Sequence, residues 1–255
     1  MSNHRNSRMN VSSINYYFDI EAQYEKLSSN ILFEDNHILV VNKQPSEIVQ
    51  GDKTGDLPLS EKYKYFLKKK YDKPGNVFLG VSHRIDRPTS GVVIFAKTGK
   101  ALSRLNKLMQ DHEITKYYWA VVEKKPAANI GRIEHYMVRN PQKNKSYSFP
   151  EKRKNSKKAE LEYRYLGHSE RYYLMEITLI TGRHHQIRSQ LSAIGNPIKG
   201  DIKYGFYTTN KDASIHLHAR KVVFTHPVKK EEVQIVAPVP DDKLWKYFEI
   251  HFGQE

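Results

Sequence analysis

The chain has 255 residues, 38% of them hydrophobic and 11% aromatic, which is enough for a sizeable core, and no run approaches the ~20 apolar residues of a membrane span. Lysine and arginine number 42 against 28 aspartates and glutamates, and the net charge of +14 points to a polyanionic partner: nucleic acid before a membrane surface, because the basic residues form no amphipathic helix with a Trp/Leu face. Without cysteine, disulfides, thiolate metal sites and a thiol nucleophile are excluded, a usage that fits a reducing cytoplasm.

Residues 1–28 read as a polar leader, frayed or disordered, with no apolar stretch of the secretory kind, and 29–255 as one domain. ILFEDNHILVVNKQPS (31–46) reads as a hairpin about a polar EDNH turn. LPLSEKYKYFLKKKY (57–71) reads as a helix with Leu59, Tyr63 and Phe66 on one face, stopped by Pro74-Gly75. SHRIDRPTSG (82–91) follows, with Ser90-Gly91 read as a tight turn, and then GVVIFAK (91–97), a buried strand. TGKALSRLNKLMQDHEI is a helix whose Leu102, Leu105, Leu108 and Met109 form a core stripe, and TKYYWAVVE (115–123) is a strand.

Residues 124–158 are lysine-rich and turn-rich and read as a long basic surface hairpin or loop, with Tyr147 and Phe149 placed to stack on bases while lysines hold phosphate. Two strands follow over 159–182 about a GHSER turn, the second with Met175, Ile177 and Leu179 on one face. A short helix begins near His184, with Gly195 as its left-handed C-terminal cap and Pro197 blocking continuation. Strands over 215–227 and 233–240 and a C-terminal helix capped by Asp241 complete the chain. The sum is an α+β fold: a mixed, mostly antiparallel sheet with flanking helices.

Asp86 lies between Arg84 and Arg87. It reads either as a partner in a weak surface ion pair or as a catalytic carboxylate, fixed by its loop and held ionised in a basic site. A second basic centre, TGRHHQIR, carries Arg183 and Arg188; if Arg188 reached Asp86 it would aim the carboxylate. His184-His185 and His216-x-His218 are the candidates for metal ligation, but carboxylate-rich surroundings and a His-x-x-x-His spacing are absent, so no metal is expected. No phosphate loop occurs, so no nucleotide cofactor is expected. Tyr118 either stacks on a base or fills the core.

HRIDRPTSGVVIFAK resembles the H-R-L-D-x-x-T-S-G signature of the RluA-type family of RNA pseudouridine synthases. ILFEDNHILVVNK, KYYWAVV, ITGRHHQIRSQLSAIGNPIKGDIKYG and LHARKVVFTHP resemble further family blocks, and the five stand in family order across about residues 31–240. The resemblance implies a pseudouridine synthase catalytic domain that isomerises specific uridines in ribosomal or transfer RNA without cofactor; a cytoplasmic location, from the absence of cysteine, and a monomer are expected beside it. It implies Asp86 as the essential carboxylate beside the ribose, Tyr118 stacked on the flipped base, and Arg188 paired with Asp86. RNA contacts are expected at Arg84, Arg87, Arg183 and His184, and at Lys143, Lys145, Lys152, Arg153 and Lys154. Two positions depart from the family: NKQPSE stands where N-K-P-x-G is frequent, and Gln190 where a histidine is. The competing readings are a catalytically inactive RNA-binding module on the same fold and a metal-dependent nuclease built on the histidines.

Overall fold

A computed structural model describes residues 21–52 and 54–253. One sheet runs through it in the order β1-β2-β4-β10-β5-β9-β8-β6-β7, with β3 added to β4 and β11 to β10. The strands are β1 (Ile31–Glu34), β2 (Ile38–Lys43), β3 (Gly80–Val81), β4 (Ser90–Ala96), β5 (Thr115–Val122), β6 (Ile130–Asn140), β7 (Lys145–Phe149), β8 (Lys157–His168), β9 (Tyr173–Leu179), β10 (Leu217–Thr225) and β11 (Glu232–Val236). The β4–β10 pairing is parallel and the other pairings between these strands are antiparallel, so the mixed, mostly antiparallel α+β architecture is as expected.

The helices are α1 (Tyr24–Ser29), α2 (Leu59–Lys70), α3 (Gly99–Gln110), α4 (Gln186–Ala193) and α5 (Lys243–Phe252). Strand alternation divides the core between the two faces of the sheet. Leu39, Val41, Val93 and Phe95 pack with α1, α2 and α4, whereas Ile38, Val40, Val92 and Ile94 pack with α3. Trp119, Val121 and Leu174 take α5. Both faces of β2 and β4 are therefore buried, which is why these strands read as continuous apolar runs. Among the described residues no helix is long and apolar enough to cross a membrane.

Local signals placed most elements, and tertiary contacts shifted some boundaries. Leu59, Tyr63 and Phe66 are each buried on α2, as their spacing predicts. The leader expected over 1–28 lies outside the described residues through 20. Its last part is α1, held because Leu27 is buried and Tyr63 donates its hydroxyl to Leu27 O. The basic segment is a hairpin, β6–β7, yet it is built into the sheet: β6 also pairs with β8, and Ile133 and Met137 are buried. α4 starts two residues later than expected because His185 adopts a left-handed conformation, φ 53°. Gly195, φ 79°, follows the helix as read. The cap of α5 is Asp242, not Asp241: its carboxylate accepts from Leu244 N and Trp245 N.

The Ser90-Gly91 turn is the correction that matters for the site. Both residues are the start of β4; the turn lies just before them, where Thr89 N donates to Asp86 O at 3.0 Å. Gly91 has φ 113°, and a Cβ there would collide with the backbone of Ala219 on β10. The glycine permits the parallel approach of β4 to β10. Ser90 Oγ and His218 Nδ1, 2.8 Å apart, pin that contact.

Candidate active site

The loop between β3 and β4 carries Asp86, and its backbone is anchored from β2. Lys43, fully buried at the end of β2, donates to the carbonyls of Gln44 (2.9 Å), Arg87 (3.0 Å) and Thr89 (2.6 Å). Burial lowers the Lys43 ammonium to about 7 against smaller opposing effects of the Glu47 and Asp86 carboxylates. Ser46 N also donates to Arg87 O. Two strands thus hold the loop at both ends, Gly91 behind it and Lys43 beneath.

α4 supplies the counter-charge. Arg188, in the first turn, donates from Nη1 to Asp86 Oδ2 at 3.1 Å and makes a bidentate pair with Asp201, Nε to Oδ2 at 2.7 Å and Nη2 to Oδ1 at 2.9 Å. Burial alone would lower the guanidinium; the Asp201 and Asp86 carboxylates outweigh it and hold Arg188 above its ordinary value. Arg188 does therefore reach Asp86, across 102 residues of sequence. Neither neighbouring arginine pairs with Asp86 among the described residues: Arg87 pairs with Asp56 at 2.6 Å, and the partners of Asp86 are Arg188 and His185.

His185 Nε2 faces the same oxygen, Asp86 Oδ2, at 3.5 Å. Its other nitrogen, Nδ1, lies 2.9 Å from the Tyr204 hydroxyl, which accepts the Ser146 N–H at 2.8 Å. The hydroxyl proton of Tyr204 is thus free for His185 Nδ1, which leaves the imidazole proton on Nε2, toward Asp86. Burial lowers His185 to about 3, so the ring is neutral near pH 7. Both contacts fall on Oδ2, and Asp86 Oδ1 has no protein partner among the described residues.

Asp86 stands where two chambers meet; Arg84, Ile85, His185 and Arg188 line both with it. The first, about 450 Å³, is floored by Tyr118 and Leu217 and flanked by Lys116, His83 and Arg183. Tyr118 is buried, and burial, followed by the nearby Asp86 carboxylate, raises its phenol well above the usual range; its hydroxyl has no hydrogen-bond partner among the described residues. The second chamber, about 610 Å³, is basic, with Arg87, Arg139, His184 and Lys203 in its wall. A chamber floored by an aromatic ring beside a second one walled by cations suits a base with its flanking phosphates.

The expected RNA contacts divide on this geometry. Arg84, Arg87, Arg183 and His184 line the chambers; His184 stacks on His185 at 3.8 Å and is tied to Ser146 Oγ and Asn144 Oδ1. Lys143, Lys145, Lys152, Arg153 and Lys154 line neither. Lys145 lies over the Tyr147 and Tyr204 rings, and Arg153 over Phe149 at 3.7 Å. The same hairpin instead contributes Arg139, Pro141 and Asn144 to the second chamber. Sequence reasoning missed Lys43, His185, Asp201 and Tyr204 as site residues. The last three stand inside the TGRHHQIR and GDIKYG blocks, where position in the block was the available signal. Gln190 donates to Ile133 O and Ala159 O, so that departure ties α4 to β6 and β8 away from the chambers.

The metal candidates are engaged in hydrogen bonds. His216 meets Asn210 and Asp242, and His218 meets Ser90 and Ala237 O. Among the described residues no group of three or more His, Cys, Asp or Glu is placed to hold a metal ion.

Residues 37–193 match the family model described as RNA pseudouridylate synthase. The chain is 32% identical over 228 residues, 86% of this chain and 70% of the relative, to ribosomal large subunit pseudouridine synthase C of Buchnera aphidicola subsp. Schizaphis graminum. It is 34% identical over 224 residues, 84% and 69% of the two chains, to an uncharacterized RNA pseudouridine synthase, YhcT, of Bacillus subtilis. Human RNA pseudouridylate synthase domain containing 4 superposes with a TM-score of 0.74 at 24% identity, over 88% of this chain and 94% of that one. For human domain containing 1 the TM-score is 0.66 at 25% identity, over 83% of each. With the five ordered sequence blocks, the carboxylate–arginine pair and these matches in agreement, the chain belongs to the RluA-type family of RNA pseudouridine synthases, enzymes that isomerise uridine within RNA.

Proposed function

We propose that this enzyme converts specific uridines to pseudouridine in structured ribosomal RNA, with Asp86 as the essential carboxylate and no metal, nucleotide or redox cofactor. The observation that carries the reading is the Asp86 carboxylate, clamped through Oδ2 by Arg188 and leaving Oδ1 open at the junction of the chambers. Substrate and product are isomers, so the reaction needs no oxidant and no added group. The C1′–N1 bond breaks, the freed uracil turns, C5 bonds to C1′, the C5 proton leaves to solvent and N1 takes one up. Asp86 acts on the ribose, either bonding to C1′ or removing the C2′ proton.

The target uracil occupies the first chamber against Tyr118, and the flanking phosphates meet Arg84, Arg139 and Lys203 around the second. Flipping the nucleotide costs a few kcal/mol, and stacking on Tyr118, worth about 1–3 kcal/mol, offsets much of it. The ribosomal assignment draws on the relatives named for the large ribosomal subunit.

The test is tritium release from RNA labelled at uridine C5, with a chelator present, on ribosomal and transfer RNA separately. Release on ribosomal RNA by the native chain, and a loss on the order of 10²–10⁴-fold in Asp86→Asn, is the expected result. Release on transfer RNA alone would overturn the ribosomal assignment; full activity in Asp86→Asn would overturn the role of the carboxylate.

A further inference from the structure

Lys116 is a half-buried cation in the first chamber with no anion of its own. It precedes Tyr118 by two on β5, and both line the chamber. Its Nζ contacts Met109 Sδ at 3.8 Å, a weak acceptor, and it makes no ion pair with any described carboxylate.

The other charged and titratable groups facing the chamber do not neutralise it. The loop after β3 brings His83, Arg84 and Asp86; the segment after α3 brings His112; the segment leading into α4 brings Arg183, His185 and Arg188. Asp86 is the one carboxylate among them, and Arg188 holds it. His83 accepts the Ile94 N–H through Nε2 and stays neutral beside the lysine, lowered to about 3 by burial and the Lys116 charge. Burial lowers the Lys116 ammonium itself. A charge withdrawn from water without a partner is costly, and the cost is offset when an occupant brings an acceptor.

The isomerisation supplies one. When the C1′–N1 bond breaks, its electron pair passes to N1 and spreads over the uracil carbonyl oxygens O2 and O4. Resting on the reading that the target uracil occupies this chamber, we infer that Lys116 is a catalytic residue whose ammonium donates a hydrogen bond to a uracil carbonyl oxygen and stabilises the departing uracilate. Lys116 keeps its proton throughout. At C1′ the lost bond is replaced by a bond to an Asp86 oxygen, or by a C1′=C2′ double bond after the C2′ proton passes to Asp86 and before it returns. The negative charge on the base is largest as the bond breaks, so the contact accelerates the chemical step more than it tightens binding.

The test compares native protein with Lys116→Met, Lys116→Gln and Lys116→Arg by tritium release from neutral to alkaline pH, alongside RNA affinity and thermal melting. Lys116→Met is expected to lose about 10²-fold in kcat with KM changed less than about threefold, and Lys116→Arg to recover part of it. The native kcat falls as Lys116 loses its proton, below the ordinary lysine range, and that alkaline limb is absent from Lys116→Met. A kcat within about threefold of native in both neutral variants, or a loss confined to KM, overturns the inference. Should the methionine variant melt early, the smaller polar change in Lys116→Gln carries the same comparison. No release by the native protein on any RNA would instead sink the underlying reading of the site.

Discussion

Arg188 is shared between two carboxylates of different kinds. Asp86 is partly open to the chambers, its side chain 27% exposed, while Asp201 is 1% exposed and takes two of the three guanidinium contacts. Asp201 therefore holds the plane of the guanidinium that aims Asp86. Replacing Asp201 by Asn leaves a buried cation half-partnered, and breaking a buried pair from one side costs about 3–5 kcal/mol. Asp201→Asn should lower the urea midpoint accordingly and reduce tritium release; an unchanged midpoint would show that Arg188 needs no second carboxylate. The Asp86–Arg188 pair was legible because both stand in recognisable basic motifs. His185 was passed over for His184, since two adjacent histidines look alike in sequence, and only the left-handed turn at His185 sends one ring to Asp86 and Tyr204.

At the scale of elements, the site depends on where β4 meets β10. The helices were readable from apolar spacing, and β2 and β4 from their apolar runs, because those signals span a few residues. The Ser90-Gly91 pair was misread because a glycine beside a serine signals a turn locally, whereas here it admits the backbone of Ala219. Gly91→Ala combines a collision with main chain and an unfavourable φ of 113°. We expect a loss of at least about 4 kcal/mol in urea denaturation, together with lower activity as the Asp86 loop is displaced. A stable, fully active Gly91→Ala enzyme would show that β4 can approach β10 by another route.

Among the described residues, His83, His185 and His218 are the histidines that burial lowers furthest, each to about 3 from 6.5. The folded state resists their protonation while the unfolded chain binds a proton at each as pH falls through 6.5. Their contribution is therefore fully present above 6.5 and is lost progressively down toward 3. At pH 5 the expected loss is about 2 kcal/mol for each histidine, read as a fall in unfolding free energy between pH 7 and pH 5. Equal stability at the two values would mean that these rings gain protons without unfolding.

Charge, the absence of cysteine, the alternating and helical apolar periods and the five ordered blocks were properties of the sequence alone; they determined the fold class and the family, and singled out Asp86, Tyr118 and Arg188 as site candidates. These signals are short-range or are matched block by block, so they survive without coordinates. The tertiary structure decided which groups meet: Arg188 with Asp86 across 102 residues, Ser90 with His218 across 128, and the Lys43 ammonium beneath the Asp86 loop. It also decided that Arg139 and Lys203 face the second chamber while Lys152, Arg153 and Lys154 do not. The reason is that a lysine's charge is written in the sequence, but its direction and its neighbours follow from strand order and from the crossing of β4 with β10, which no local pattern encodes.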